Sequence, residues 1–149
     1  MNDLRADLQK PLEQDFIAEL MEVWAANPFS QHLNMKPVNI GDGFAVFEAF
    51  PKEQFRNPQG VVHGGFHAAL IDSAMGCAVL STLGKYLDHG TIELKLSYVR
   101  KINTTIGRVI CRGTVIHRGR RLSTAEARIA DEAGKLYAHG TGTYMVYER

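Results

Sequence analysis

An α+β fold, one long buried helix wrapped by a curved antiparallel sheet, is what this sequence predicts, and three observations carry the prediction. Residues 64–83 are apolar on nearly every side, with Phe66, Leu70, Ile71, Met75, Val79, Leu80 and Leu83 spread around a helical wheel. A helix without a polar face belongs at the centre of a fold. After Gly84 the hydrophobic period changes to two, in segments rich in Val, Ile, Thr and Tyr, which is the pattern of half-buried strands. Before the long helix come one amphipathic segment and two short strand candidates, so layers of helix and antiparallel sheet can bury every apolar stripe.

Taken in order, residues 11–26 place Leu12, Phe16, Ile17, Leu20, Met21 and Trp24 at helical spacing, with Glu13, Asp15, Glu19 and Glu22 on other faces. This is an amphipathic helix that covers a sheet, ended at Asn27-Pro28. Gly41-Asp42-Gly43 makes a turn between strand candidates at residues 37–40 and 44–50. Residues 52–60 form a polar loop that leads into Gly64-Gly65, where the long helix starts. Residues 91–98, 106–115, 122–130 and 136–146 are of strand length, punctuated by Asn103, Gly107, Gly119 and Asp131-Glu132-Ala133-Gly134. Four strands in succession predict a meander.

At 149 residues the chain is expected to be a single domain, residues 1–149, with the first thirty as a helical extension. It is long enough for a core that needs neither disulfide nor metal. A net charge of +1 gives no nucleic-acid footprint, and the aromatic residues near the chain end lack RNA-binding motifs, so they are packing residues. Arg100-Lys101, Arg108, Arg112 and residues 118–121 do concentrate positive charge in the second half, which suits a small anionic ligand. Cys77 and Cys111 lie in apolar stretches without a CxxC spacing and read as reduced core thiols. The charged start, Met1-Asn2-Asp3-Leu4-Arg5-Ala6-Asp7, is unlike a signal peptide, and no apolar run reaches membrane-span length. A cytoplasmic protein with no membrane partner is expected.

Asn57, His63, Gly64 and Asp72 form the leading chemical constellation. Asp72 is one carboxylate inside a run of small and apolar residues, and such an acid is costly to bury unless it is paired or hydrogen-bonded. Gly64 and Gly65 can open a helix whose first amide N–H groups are free to meet an anion. For hydrolysis of a thioester, those N–H groups would polarise the carbonyl while Asp72 serves as base or nucleophile. The two lie about eight residues apart, so a rise of ~1.5 Å per residue separates them by roughly 12 Å. One carbonyl cannot touch both. Two subunits packing these helices antiparallel would bring Gly64 of one to Asp72 of the other, and the mostly small-residue stripe of Gly65, Ala68, Asp72, Met75-Gly76 and Val79 would allow close approach. The structural alternative is that Asp72 caps or salt-bridges within the core and the glycines merely turn the chain. His63 and His67 stand four apart, but zinc needs further ligands and no metal is expected. Ser73 lacks the flanking glycines of a nucleophile elbow.

Asn57-Pro58-Gln59-Gly60-Val61-Val62-His63-Gly64-Gly65, then Asp72, then Thr91-Ile92-Glu93-Leu94-Lys95-Leu96-Ser97-Tyr98, resembles the hotdog-fold acyl-CoA thioesterases of the phenylacetate-degradation type. The similarity spans roughly residues 33–147. It implies that Asp72 is the catalytic carboxylate and that the Gly64 N–H polarises the thioester. It further implies that Asn57 positions water or carbonyl, that His63 orients the loop, and that Thr91 places a hydroxyl near the attacking water. Gly65, Arg100, Lys101, His117, Arg120 and Arg121 are the candidates for holding substrate, the cations for the phosphates of coenzyme A. The resemblance also implies a homodimer or homotetramer, with no cofactor beyond the coenzyme A of the substrate itself. Two rivals are a hotdog hydratase, for which a catalytic His would be expected where Asn57 stands, and a non-catalytic acyl-CoA sensor, which would bind without turnover.

Overall fold

The computed structural model describes residues 14–149. The expected first helix therefore begins, among the described residues, as α1 (Gln14–Ala26), and its residues 11–13 lie outside them. Phe16 and Leu20 are buried on its inner face, and Trp24 sets its ring edge-on against Phe47, 5.7 Å between centroids. Asn27 does more than stop this helix. Its Oδ1 accepts from the N–H groups of Phe29 and Ser30, capping a short second helix, α2 (Pro28–His32), with Pro28 in the first turn, where its missing N–H costs nothing.

Strands β1 (Met35–Gly41) and β2 (Phe44–Ala49) form the expected hairpin, with Gly41 opposite Phe44 and Asp42-Gly43 as the two-residue loop. Gly43 has φ +76°, a conformation glycine adopts without steric cost. The central helix α3 (Gly64–Leu80) buries twelve of its seventeen residues, each large aliphatic side chain among them contributing roughly 1.5–3 kcal/mol. It ends three residues before the sequence pattern does. Ser81 there bonds Gly41 C=O at 2.7 Å and accepts from Gly43 N–H at 3.1 Å, tying the helix end to the β1–β2 turn.

The remaining strands are β3 (Leu87–Tyr98), β4 (Val109–Arg118), β5 (Leu122–Asp131) and β6 (Leu136–Glu148). All pairings are antiparallel, and the six strands run β1-β2-β4-β5-β6-β3 across one sheet. The expected four-strand meander is thus only partly right: β4, β5 and β6 follow one another, but β3 pairs with β6 at the far edge and β2 occupies the other side of β4. The connection between β3 and β4 is the reason. Residues 99–108 do not turn tightly; Ile102 is fully buried and its carbonyl accepts from Val62 N–H at 2.9 Å. That segment crosses the start of the helix instead of closing a hairpin. Ile106, expected to open a strand, accordingly sits in a 3-10 turn (Thr104–Ile106).

The helix lies directly on the sheet backbone at one point. A Cβ on Gly113 of β4 would come within 2.4 Å of the Ala74 carbonyl oxygen and 2.5 Å of its carbon, a collision with main chain that no side-chain rotation relieves. Gly113→Ala is expected to lower stability by about 3 kcal/mol or more, read as a drop in urea midpoint; a change under about 0.5 kcal/mol, the range of an ordinary surface substitution, would mean the helix is not seated there.

Candidate active site

His63 opens the helix. Its backbone is extended, its Nδ1 accepts from Gly65 N–H at 2.8 Å, and its carbonyl accepts from Phe66 N–H at 3.0 Å. The Gly64 N–H, the first of the helix, has no intrahelical partner by position and is the uncommitted donor at this end. Gly65, expected to help hold substrate, has its N–H already taken by His63. A Cβ at Gly64 would meet the Tyr98 ring and hydroxyl at 3.1–3.3 Å, and that hydroxyl donates to Gly64 C=O at 3.1 Å.

The preceding loop is tied on itself. Asn57 N–H donates to Val61 C=O at 2.8 Å, Asn57 Oδ1 accepts from Val61 N–H at 3.2 Å, and Gly60 turns with φ +81°. Asn57 and Gly64 share a cleft of about 320 Å³ with His67, Tyr98, Arg100, Lys101 and Ile102. His67 Nδ1 lies 3.2 Å from the His63 carbonyl, so these two histidines meet through main chain.

Asp72 projects from the middle of α3 and is half-buried, where the surrounding sequence suggested full burial. Its Oδ1 accepts from Thr91 Oγ1 at 3.0 Å and from Tyr144 Oη at 3.3 Å. Asp72 caps no described helix and forms no ion pair among the described residues. Thr91 reaches it because β3 lies beside the helix, and Tyr144 because β6 places it opposite Thr91.

Tyr144 and His89 are neighbours of Asp72 that sequence reasoning missed; Tyr144 reads as packing because nothing along the chain reveals that it faces Thr91. It is fully buried, with His89 edge-on to it at 5.2 Å. Burial first, then the charge of Asp72, pushes the Tyr144 phenol far above its usual range, so it remains a donor. Burial likewise lowers His67 and His89 from the ordinary histidine value, outweighing in His89 the opposing effect of Asp88. Cys77 and Cys111 are buried, and burial pushes the Cys77 thiol up to about 12, which leaves it unreactive.

The candidate cations fall into two separate places. Arg100 and Lys101 line the Gly64 cleft, although one Arg100 nitrogen already donates to Leu136 C=O at 2.6 Å. Arg120 and Arg121 line a smaller cavity of about 140 Å³ with Leu83, Leu87 and Tyr147, at the other end of the helix. His117 is exposed near the end of β4, opposite Thr124. No helix among the described residues is long and apolar enough to cross a membrane.

A helix start with a free amide, a carboxylate held by two hydroxyls, and a six-stranded sheet around the helix make up the site. Residues 59–138 match the family model of the thioesterase superfamily. A Saccharolobus solfataricus protein proposed to be an esterase is 31% identical over 134 residues, 89% of this chain and 94% of its own. Among solved structures, a conserved protein of Pseudomonas aeruginosa superposes with a TM-score of 0.78 at 34% identity, covering 87% of this chain and 98% of that one. The phenylacetic acid degradation protein PaaI of Thermus thermophilus, in the form of a point mutant, superposes with a TM-score of 0.72 at 31% identity, covering 80% and 98%. The chain belongs to the thioesterase superfamily, in its hotdog fold. Within it, this is a thioester hydrolase of the PaaI-like type.

The two depressed histidines set a pH dependence. As pH falls through about 6.5 the unfolded chain takes up protons first while the folded state resists, so stability falls with falling pH in that window and is fully restored above it. Urea melts between about pH 7.5 and 5.5 are expected to show this decline, at most about 1.4 kcal/mol per pH unit for each histidine. His89→Gln should make it shallower; an unchanged slope in both His89→Gln and His67→Gln would refute the assignment.

Proposed function

We propose that the protein hydrolyses acyl- or aryl-acyl-CoA thioesters to the free acid and coenzyme A, at sites shared between two protomers. One observation carries this reading: the free Gly64 N–H and the Asp72 carboxylate sit on one helix about eight residues apart, roughly 12 Å by helical rise, too far to act on one carbonyl. The edge of the sheet supports it. Strand β3 beside Asp72 is a twelve-residue edge strand with Ile92 54% exposed, and its outer side has no partner strand among the described residues. A second copy pairing there about a two-fold axis would set the two helices antiparallel and bring each Gly64 toward the partner's Asp72. Such dimers can pair again into a tetramer.

In this reaction the thioester oxygen accepts from Gly64 N–H, where the positive end of the helix favours the developing oxyanion. Asp72 takes a proton from water as the oxygen attacks the carbonyl carbon; the tetrahedral intermediate then collapses, the C–S bond breaks, and the thiolate leaves to be protonated by solvent. The alternative route has the carboxylate itself attack, giving a mixed anhydride that water opens. A single turnover in ¹⁸O-water distinguishes them, because water opening the anhydride at the Asp72 carbonyl labels Asp72, whereas the general-base route labels only the acid product. Asn57 orients water or carbonyl from its loop, Arg100 and Lys101 or Arg120 and Arg121 receive the phosphates, and His117 stands at the margin of the second basic group.

Thiol release from aromatic, short-chain and medium-chain acyl-CoAs is the direct test. Asp72→Asn is expected to lower kcat by about a thousandfold or more in a protein that still folds; saturable binding with no thiol release from any acyl-CoA would identify a sensor instead. Site sharing has its own test. Gly64→Pro removes the N–H where a helix tolerates proline, and the exposed Tyr98 has room to yield. Mixed with Asp72→Asn subunits and refolded together, these inactive proteins should recover about a quarter of wild-type activity, since half the dimers carry one intact site. No recovery in mixtures that do form heterodimers would sink the shared site.

A further inference from the structure

We propose that Tyr144 is a positioning residue for the Asp72 carboxylate: with Thr91 it holds Oδ1, so that Oδ2 is the oxygen that meets water or the thioester. This rests on the reading of Asp72 as the catalytic carboxylate. Both donors converge on the same atom, Thr91 Oγ1 at 3.0 Å and Tyr144 Oη at 3.3 Å. Oδ2 accepts no hydrogen bond from a described residue. A carboxylate turns freely about its last bond; once one oxygen is held by two donors, the direction of the other is set and its lone pairs stay available.

The tyrosine is built to stay where it is. Its ring is fully buried in β6 and packed edge-on by His89 of β3, at 5.2 Å and 85°. Two glycines make the room: a Cβ on Gly142 would press on the Tyr144 ring at 3.1 Å and its hydroxyl at 3.2 Å, and one on Gly76 would meet His89 at 3.1 Å. Among the described residues, Tyr144 and His89 both feel the charge of Asp72. Neither carries charge near neutral pH, since burial keeps the phenol protonated and lowers the histidine. Asp72 is thus held by neutral donors.

Tyr144→Phe keeps the ring and removes the donor. With the acyl-CoA that the wild type turns over fastest, kcat is expected to fall about tenfold with KM within about twofold. Gly142→Ala, which displaces the same hydroxyl while leaving it in place chemically, should lower kcat in the wild-type background and add little in Tyr144→Phe. Asp72→Asn run alongside separates the two ideas. If it is inactive while Tyr144→Phe keeps kcat within about twofold, the positioning role is wrong and the catalytic carboxylate stands. A kcat loss in Tyr144→Phe that comes with a lowered melting temperature, with Gly142→Ala costing as much kcat in that background as in the wild type, marks a structural role and also overturns the proposal. Full activity in Asp72→Asn would overturn the reading beneath it.

Discussion

A helix with no polar face has to be covered on all sides, and nearly everything else in this molecule follows from that requirement. α3 places Leu70, Ile71, Ala74, Met75, Ala78 and Val79 out of solvent, and one flat sheet could not reach them all. The six strands therefore pass around it, and at Gly113 the sheet comes so near that only a hydrogen fits between β4 and the Ala74 carbonyl. α1 then covers the β1 side with Phe16 and Leu20. This seating fixes the rotation of the helix about its own axis, which decides what each of its residues faces.

Asp72 gains its character from that rotation. On a helix this apolar it could have pointed into the core and would then have needed a cation or a shifted proton equilibrium. It points instead to the rim beside the edge strand, half-buried, where two hydroxyls satisfy one oxygen. The proposed role of Asp72 uses this intermediate position, which leaves the carboxylate within reach of solvent while two hydroxyls fix one of its oxygens.

The opposite end of the helix solves a different problem with few parts. His63 satisfies one of the first amides with its own ring and another with its carbonyl, which leaves the Gly64 N–H without a partner among the described residues. Tyr98 stands beside it, its hydroxyl donating to the Gly64 carbonyl. One donor, one direction and no competing partner are what a carbonyl oxygen needs from a helix start.

Periodicity alone determined the element types, the buried helix and the β1–β2 hairpin, because those depend on neighbours three or four residues apart, or two. The sequence likewise singled out His63, Gly64 and Asp72 by residue type and spacing, and Thr91 through the resemblance to the phenylacetate-type thioesterases. Strand order was beyond its reach: β3 and β4 are adjacent in the chain yet lie at different places in the sheet, because the buried Ile102 carries the connection across the helix start. Tyr144 was hidden for the same reason. It lies 72 residues from Asp72, and only the register of β6 against β3 puts its hydroxyl on that carboxylate; such a pairing is set by packing over the whole sheet and leaves no local mark in the chain.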